Sequence, residues 1–230
     1  MTEKPRARGP AAATEGRSGR SATFPRGGEE FSRVLAFTDG LFAIAMTLLV
    51  VGIDVPTLMD GRDEGELLDA LGELHTEVVS FFISFAVIGR YWVAHHQFFS
   101  LLRAMDYGLI WINLVYLAFI AFLPFLTGVL GSYFENPVSV AAYALAVAVV
   151  SGLEVVLFRH AHRSRLLTRE MPEVVYRWGA VTSLLPVVFF LLSIPLAFLN
   201  TVVAVACWFL AVPVQVVLDR RRPEEAAGWF

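Results

Sequence analysis

Apolar residues in this chain come in runs of about twenty, separated by short polar segments, rather than in the alternation or narrow stripes of a soluble fold. A helix needs roughly 20 apolar residues to cross a bilayer core. Six segments qualify: 31–53, 77–96, 107–130, 138–158, 178–196 and 199–218. The last two come from one apolar stretch, too long for a single helix. "SIPLAFLN" breaks it, with Pro195 and Asn200 as turn residues. The pattern predicts an all-α membrane protein with six transmembrane helices. Residues 1–30, rich in Gly, Pro, Ala, Ser and Arg, read as a disordered tail that is not a signal peptide. Residues 219–230 read as a second tail.

Composition agrees. The 230 residues are 57% hydrophobic and 17% charged, where a soluble domain carries about 25% charged. Mean hydropathy is +0.63. The net charge of −3 matters less than its placement. Six Lys/Arg precede Arg33, five Arg lie between 159 and 177, and Arg220, Arg221 and Arg222 follow the last span. The segment after the first span is acidic, with Asp54, Asp60, Asp63, Glu64, Glu66, Asp69 and Glu73 against Arg62. This alternation fits six spans in a cell membrane with both termini cytoplasmic. The basic segments read as topology signals that contact lipid headgroups, not nucleic acid. The acidic one could concentrate cations outside a pore.

On a helical wheel of the first span, at about 100° per residue, Arg33, Phe37, Gly40, Ile44, Thr47, Leu48 and Val51 share one stripe. Ala36 and Ala43 flank it, Asp39 lies off it, and Phe42, Leu49 and Ile53 lie opposite. Two readings compete. The small residues Ala36, Gly40, Ala43 and Thr47 suit close helix packing. Alternatively, the stripe lines a pore, with an apolar constriction at Ile44 and a hydroxyl ring at Thr47. One chain offers one such stripe, so a pore needs several copies.

"RVLAFTDG", followed by an apolar span, an acidic loop and "GRYWVAHHQFF", resembles bacterial members of the transmembrane-protein-175 family of potassium channels. The family signature R-x-x-x-F-S-D is met by Arg33, Phe37, Thr38 and Asp39, with Thr in place of Ser. The resemblance covers about residues 31–218 and implies a homotetramer with the first helix around a central pore. It implies passive, potassium-selective conduction, with K+ as the permeant ion. It places the constriction at Ile44, with further apolar positions at Leu48 and Val51, and the selectivity residue at Thr47. It also points to a structural network of Asp39 with Trp92, His95 or His96, and Arg33 nearby.

A weakly selective cation or proton leak is the alternative, and a non-conducting scaffold the alternative of another class. Enzymatic function is not expected: the chain has no Gly-rich phosphate loop, no G-x-S-x-G and no helical metal-ligand spacing. His95 and His96 point to different faces, and His160 and His162 are two apart, so neither pair reads as a metal site. No cofactor is expected. The single Cys207 rules out an intrachain disulfide. Arg90, inside the second span, reads as snorkelling to the cytoplasmic surface.

Overall fold

The computed structural model describes residues 23–59, 62–226 and 229. Among them, the helices are α1 (Glu29–Val51), α2 (Glu64–Glu73), α3 (His75–Ser100), α4 (Tyr107–Ser132), α5 (Pro137–Arg163), α6 (Glu173–Ala197) and α7 (Thr201–Arg220). All but α2 are long and apolar enough to cross a membrane. The ends follow local chemistry. Asp106 starts α4, its carboxylate accepting from the Leu109 N–H at 2.7 Å. Asn136 starts α5 in the same way, with Pro137 in the first turn where its missing N–H is no loss. Asn200 caps α7 and so fixes the expected break after α6, while Pro195 stays inside α6. The helix α5 is closed off two residues past its end by Arg165, whose φ of 53° is left-handed, and Leu166 N–H returns to the Ala161 carbonyl at 2.9 Å.

Three sequence expectations change. Helices α3 and α5 run past the apolar windows, to Ser100 and Arg163, because backbone hydrogen bonding continues where side chains turn polar. The acidic segment between the first two spans contains α2, started by Asp63, which accepts from the Gly65 and Glu66 N–H groups. The tail is ordered before residue 31. Strand β1 (Thr23–Pro25) pairs antiparallel with β2 (Ala104–Asp106), with Phe24 opposite Met105. Arg26 N–H donates to the Arg103 carbonyl at 2.9 Å, and its guanidinium to the Ser100 and Leu102 carbonyls. Composition hid this because the order comes from a distant partner. Residues 1–22 lie outside the described residues.

The ribbon ties the start of α1 to the α3–α4 link, and that link to the segment after α5. Arg103 N–H donates to the Leu166 carbonyl, and Thr168 N–H to the Leu101 carbonyl, both at 2.8 Å. Within the spans, α1 packs on α3 and α4, α5 packs on α4 and α6, and α6 pairs with α7. Polar side chains join them where lipid offers no hydrogen bonds. Thr127 donates to Ser84 at 2.8 Å and Ser84 bonds Tyr143 at 3.0 Å, linking α4, α3 and α5. Tyr91 bonds Ser151, and the Trp208 indole N–H donates to Ser193 at 2.8 Å.

Candidate pore stripe and the network behind it

The helix α1 has two unlike faces. Phe31, Thr38, Phe42, Ala45 and Leu49 are buried against α3 and α4. Their spacing of seven, four, three and four keeps them on one side of a 3.6-residue turn. Opposite them Arg33, Ala36, Phe37, Gly40, Ala43, Ile44, Thr47, Leu48 and Val51 are exposed. Exposure reaches 60% at Ile44 and 72% at Val51, against none at Phe42. Among the described residues of a single chain, nothing covers this stripe.

Thr47 sits within it, and its hydroxyl donates to the Ile44 carbonyl one turn back, at 2.9 Å. That bond occupies the hydroxyl hydrogen. The oxygen lone pairs that remain leave Thr47 as an acceptor on an exposed position of the stripe.

Behind the stripe, the buried Thr38 hydroxyl accepts from the Asn113 amide nitrogen at 3.0 Å. The Asn113 oxygen accepts from His95 Nε2 at 2.8 Å, which places the imidazole proton on that nitrogen. The His95 ring stacks between Phe99, at 4.1 Å, and Tyr116, at 5.3 Å. One chain of hydrogen bonds thus ties α1 to α4 and α4 to α3. A second tie lies closer to the surface. Asp39 accepts from the Trp92 indole N–H at 3.0 Å, and the Trp92 and His96 rings lie side by side at 5.6 Å.

The residues singled out by motif and helical spacing therefore fall into three groups. Ile44, Thr47, Leu48 and Val51 share the exposed face, with Phe37. Thr38 and His95 meet through Asn113, and Asp39 meets Trp92. Arg33 departs from the expected network: it is exposed, and its ion pair, at 3.7 Å, is with Glu30 on its own helix. Asn113 was not singled out from the sequence, although a lone amide inside an apolar span is itself a sign of an interhelical hydrogen bond. A contact between Asp106 and His160 Nε2 at 2.9 Å also went unseen; it joins α4 to α5, and a side chain at Gly108 would collide with the His160 ring. His162 stacks on Tyr176 at 4.4 Å.

This arrangement was compared with known proteins. Residues 33–124 match the family described as "Endosomal/lysosomal potassium channel TMEM175". A protein of Chamaesiphon minutus named as a potassium channel is 38% identical over 148 residues, 61% of this chain and 71% of that one. The endosomal/lysosomal proton channel TMEM175 of Bos taurus is 38% identical over 97 residues, which span only 20% of its length. The crystal structure of a lysosomal potassium-selective channel TMEM175 homolog from Chamaesiphon minutus superposes with a TM-score of 0.65 at 29% identity, covering 82% of this chain and 98% of the other. With the exposed stripe on the first span and the buried ties that hold it, these likenesses show that the chain belongs to the TMEM175 family.

Proposed function

We propose that this protein conducts potassium passively across the cell membrane, with residues 31–218 as the channel unit and both termini in the cytoplasm. Four copies set their α1 stripes around one axis. Ile44, Leu48 and Val51 make a dry constriction, which excludes ions until it is wetted. Thr47 sets selectivity: four hydroxyl oxygens, one from each copy, replace part of the water shell of K+, which dehydrates at lower cost than Na+. Asp39–Trp92 and Thr38–Asn113–His95 hold α1 at the rotation that keeps the stripe inward. No cofactor takes part, and the partners are other copies and lipid.

The observation that carries this reading is the division of α1 between a packed face and an uncovered one, with the Thr47 hydrogen already bound to Ile44. The test is the reversal potential of the purified protein in bilayers under a K+/Na+ gradient. The expected value lies near the K+ equilibrium potential and moves towards zero in Thr47→Val, which keeps shape and loses the hydroxyl. A value of zero in the unaltered protein contradicts selectivity. The proton-channel name of the Bos taurus relative supports a second reading, proton conduction. A reversal potential that follows an imposed pH gradient and ignores K+ would establish it instead.

A further inference from the structure

Helix α2 lies in the link between the first two spans, at the end of the bundle opposite the β1–β2 ribbon. Its ten residues make a helix about 15 Å long, roughly half the thickness of a bilayer core. Its side chains divide by type. At about 100° per residue, Leu67, Leu68, Leu71 and the capping Leu74 fall within about 120° of one another, and Glu66, Asp69 and Glu73 fall within about 60° on the opposite side. Glu64 shares the leucine sector only in the first turn, where the chain enters from the polar loop. None of the ten residues is buried, and Leu67, Leu68 and Leu71 are 42%, 69% and 51% exposed. The preceding loop returns to the acidic side, where Glu66 accepts from the Met59 N–H at 2.6 Å, and leaves the leucine side bare.

Position and chemistry both point to what covers the leucines. Only Leu74 separates α2 from α3, and the helical ladder breaks there. The Leu74 N–H bonds to the Leu71 carbonyl at 3.3 Å, three residues back rather than four, with ψ at 6°. The chain therefore turns just where a span begins, so α2 runs aside from α3 at the level where α3 enters the membrane. The exposed Val78 and Phe82 of α3 follow Leu71 by seven and eleven residues, a spacing that carries the apolar surface on into the span. The leucine sector also lacks the small residues and the hydroxyl that make the α1 stripe fit another helix. With four acidic residues and no Lys or Arg, α2 gains nothing from anionic headgroups, so apolar area alone must hold it.

We propose that α2 lies along the membrane surface, with Leu67, Leu68 and Leu71 set into the boundary between headgroups and acyl chains and Glu66, Asp69 and Glu73 in water. An interfacial helix binds through one apolar face in the plane of that boundary. The link between α1 and α3 is thereby held to the bilayer at a second point besides the spans. This surface is separate from the α1 stripe and does not depend on what the pore conducts.

The test is a nitroxide scan of the full chain in phosphatidylcholine vesicles. In a Cys207→Ala background, single cysteines at Leu67, Leu68, Asp69, Leu71 and Glu73 are spin-labelled. Collision with oxygen, which concentrates among acyl chains, is compared with collision with a neutral water-soluble nickel chelate. The oxygen-to-nickel ratio is expected to be severalfold higher at Leu67, Leu68 and Leu71 than at Asp69 and Glu73. Adding Leu67→Gln and Leu71→Gln together should bring the ratio of the Leu68 label down to that at Asp69. Nickel-dominated collision at all five positions puts the helix in water and overturns the proposal. Low collision with both reagents at the leucine positions means that another copy covers them, and overturns it too. So does a Leu68 ratio that stays high without the two neighbouring leucines, since the label itself would then be what inserts.

Discussion

The first and last spans bury almost the same share of their apolar windows, 22% for α1 and 17% for α7, yet they leave different things uncovered. The helix α7 exposes Val202, Val203, Phe209, Leu210, Val212 and Val217 around much of its circumference. Bulky apolar side chains with no polar atom suit lipid tails. The helix α1 gathers its exposed residues into one stripe, in which Ala36, Gly40, Ala43 and Thr47 alternate with Phe37, Ile44 and Leu48. Lipid gains little from a glycine or a hydroxyl, whereas another helix gains close approach. Exposure alone therefore does not tell a lipid face from an unmade interface; side-chain size and chemistry do.

The largest effect is expected at Gly40. A Cβ atom there meets nothing within 4 Å in one chain and the position is exposed, so Gly40→Leu is expected to leave the subunit fold intact. If the stripe faces other copies, the same leucine blocks their approach, and light scattering in detergent should show loss of the oligomer. Val203→Leu on α7 should leave assembly unchanged. A Gly40→Leu protein that assembles normally would erase the distinction between the two helices.

Next comes Ile44→Ser. Placing hydroxyls in the dry ring should wet it and raise single-channel current severalfold. Leu210→Ser on α7 should leave current unaltered. A smaller effect is expected behind the stripe. Asn113→Ala strands the buried Thr38 hydroxyl and the His95 ring nitrogen, and leaving a buried polar group without a partner costs about 1–3 kcal/mol. Thermal unfolding in detergent should register that loss while oligomer size holds. Unchanged thermal stability would mean that the network does not hold α1.

Much of this was legible from the sequence for physical reasons. Hydrocarbon demands long apolar runs, so six spans stand out by length and composition. A helix has a fixed period, so the residues of the first span sort onto faces by their spacing. What escaped depends on partners far apart in the chain. Glycine- and proline-rich composition around β1 gave no sign that β2, some eighty residues on, would order it. Asn113 looked like one polar residue in an apolar run. Its role became visible only when α4 met α1 and α3. Arg33 differs in the opposite direction: its ion pair is local, with Glu30 on the same helix, rather than with a neighbouring helix.

The most direct test of the pore is chemical access along the two exposed helices. Cys207 is the only thiol, so Cys207→Ala gives a clean background for single cysteines. In it, Thr47→Cys on α1 and Val203→Cys on α7 are each treated with a charged, water-soluble thiol reagent during current recording. Block at Thr47→Cys, slowed by permeant potassium, with no change at Val203→Cys, is the expected result. Current through Thr47→Cys that the reagent leaves untouched, although mass measurement shows the thiol modified, would place the ion path elsewhere and contradict the pore on α1.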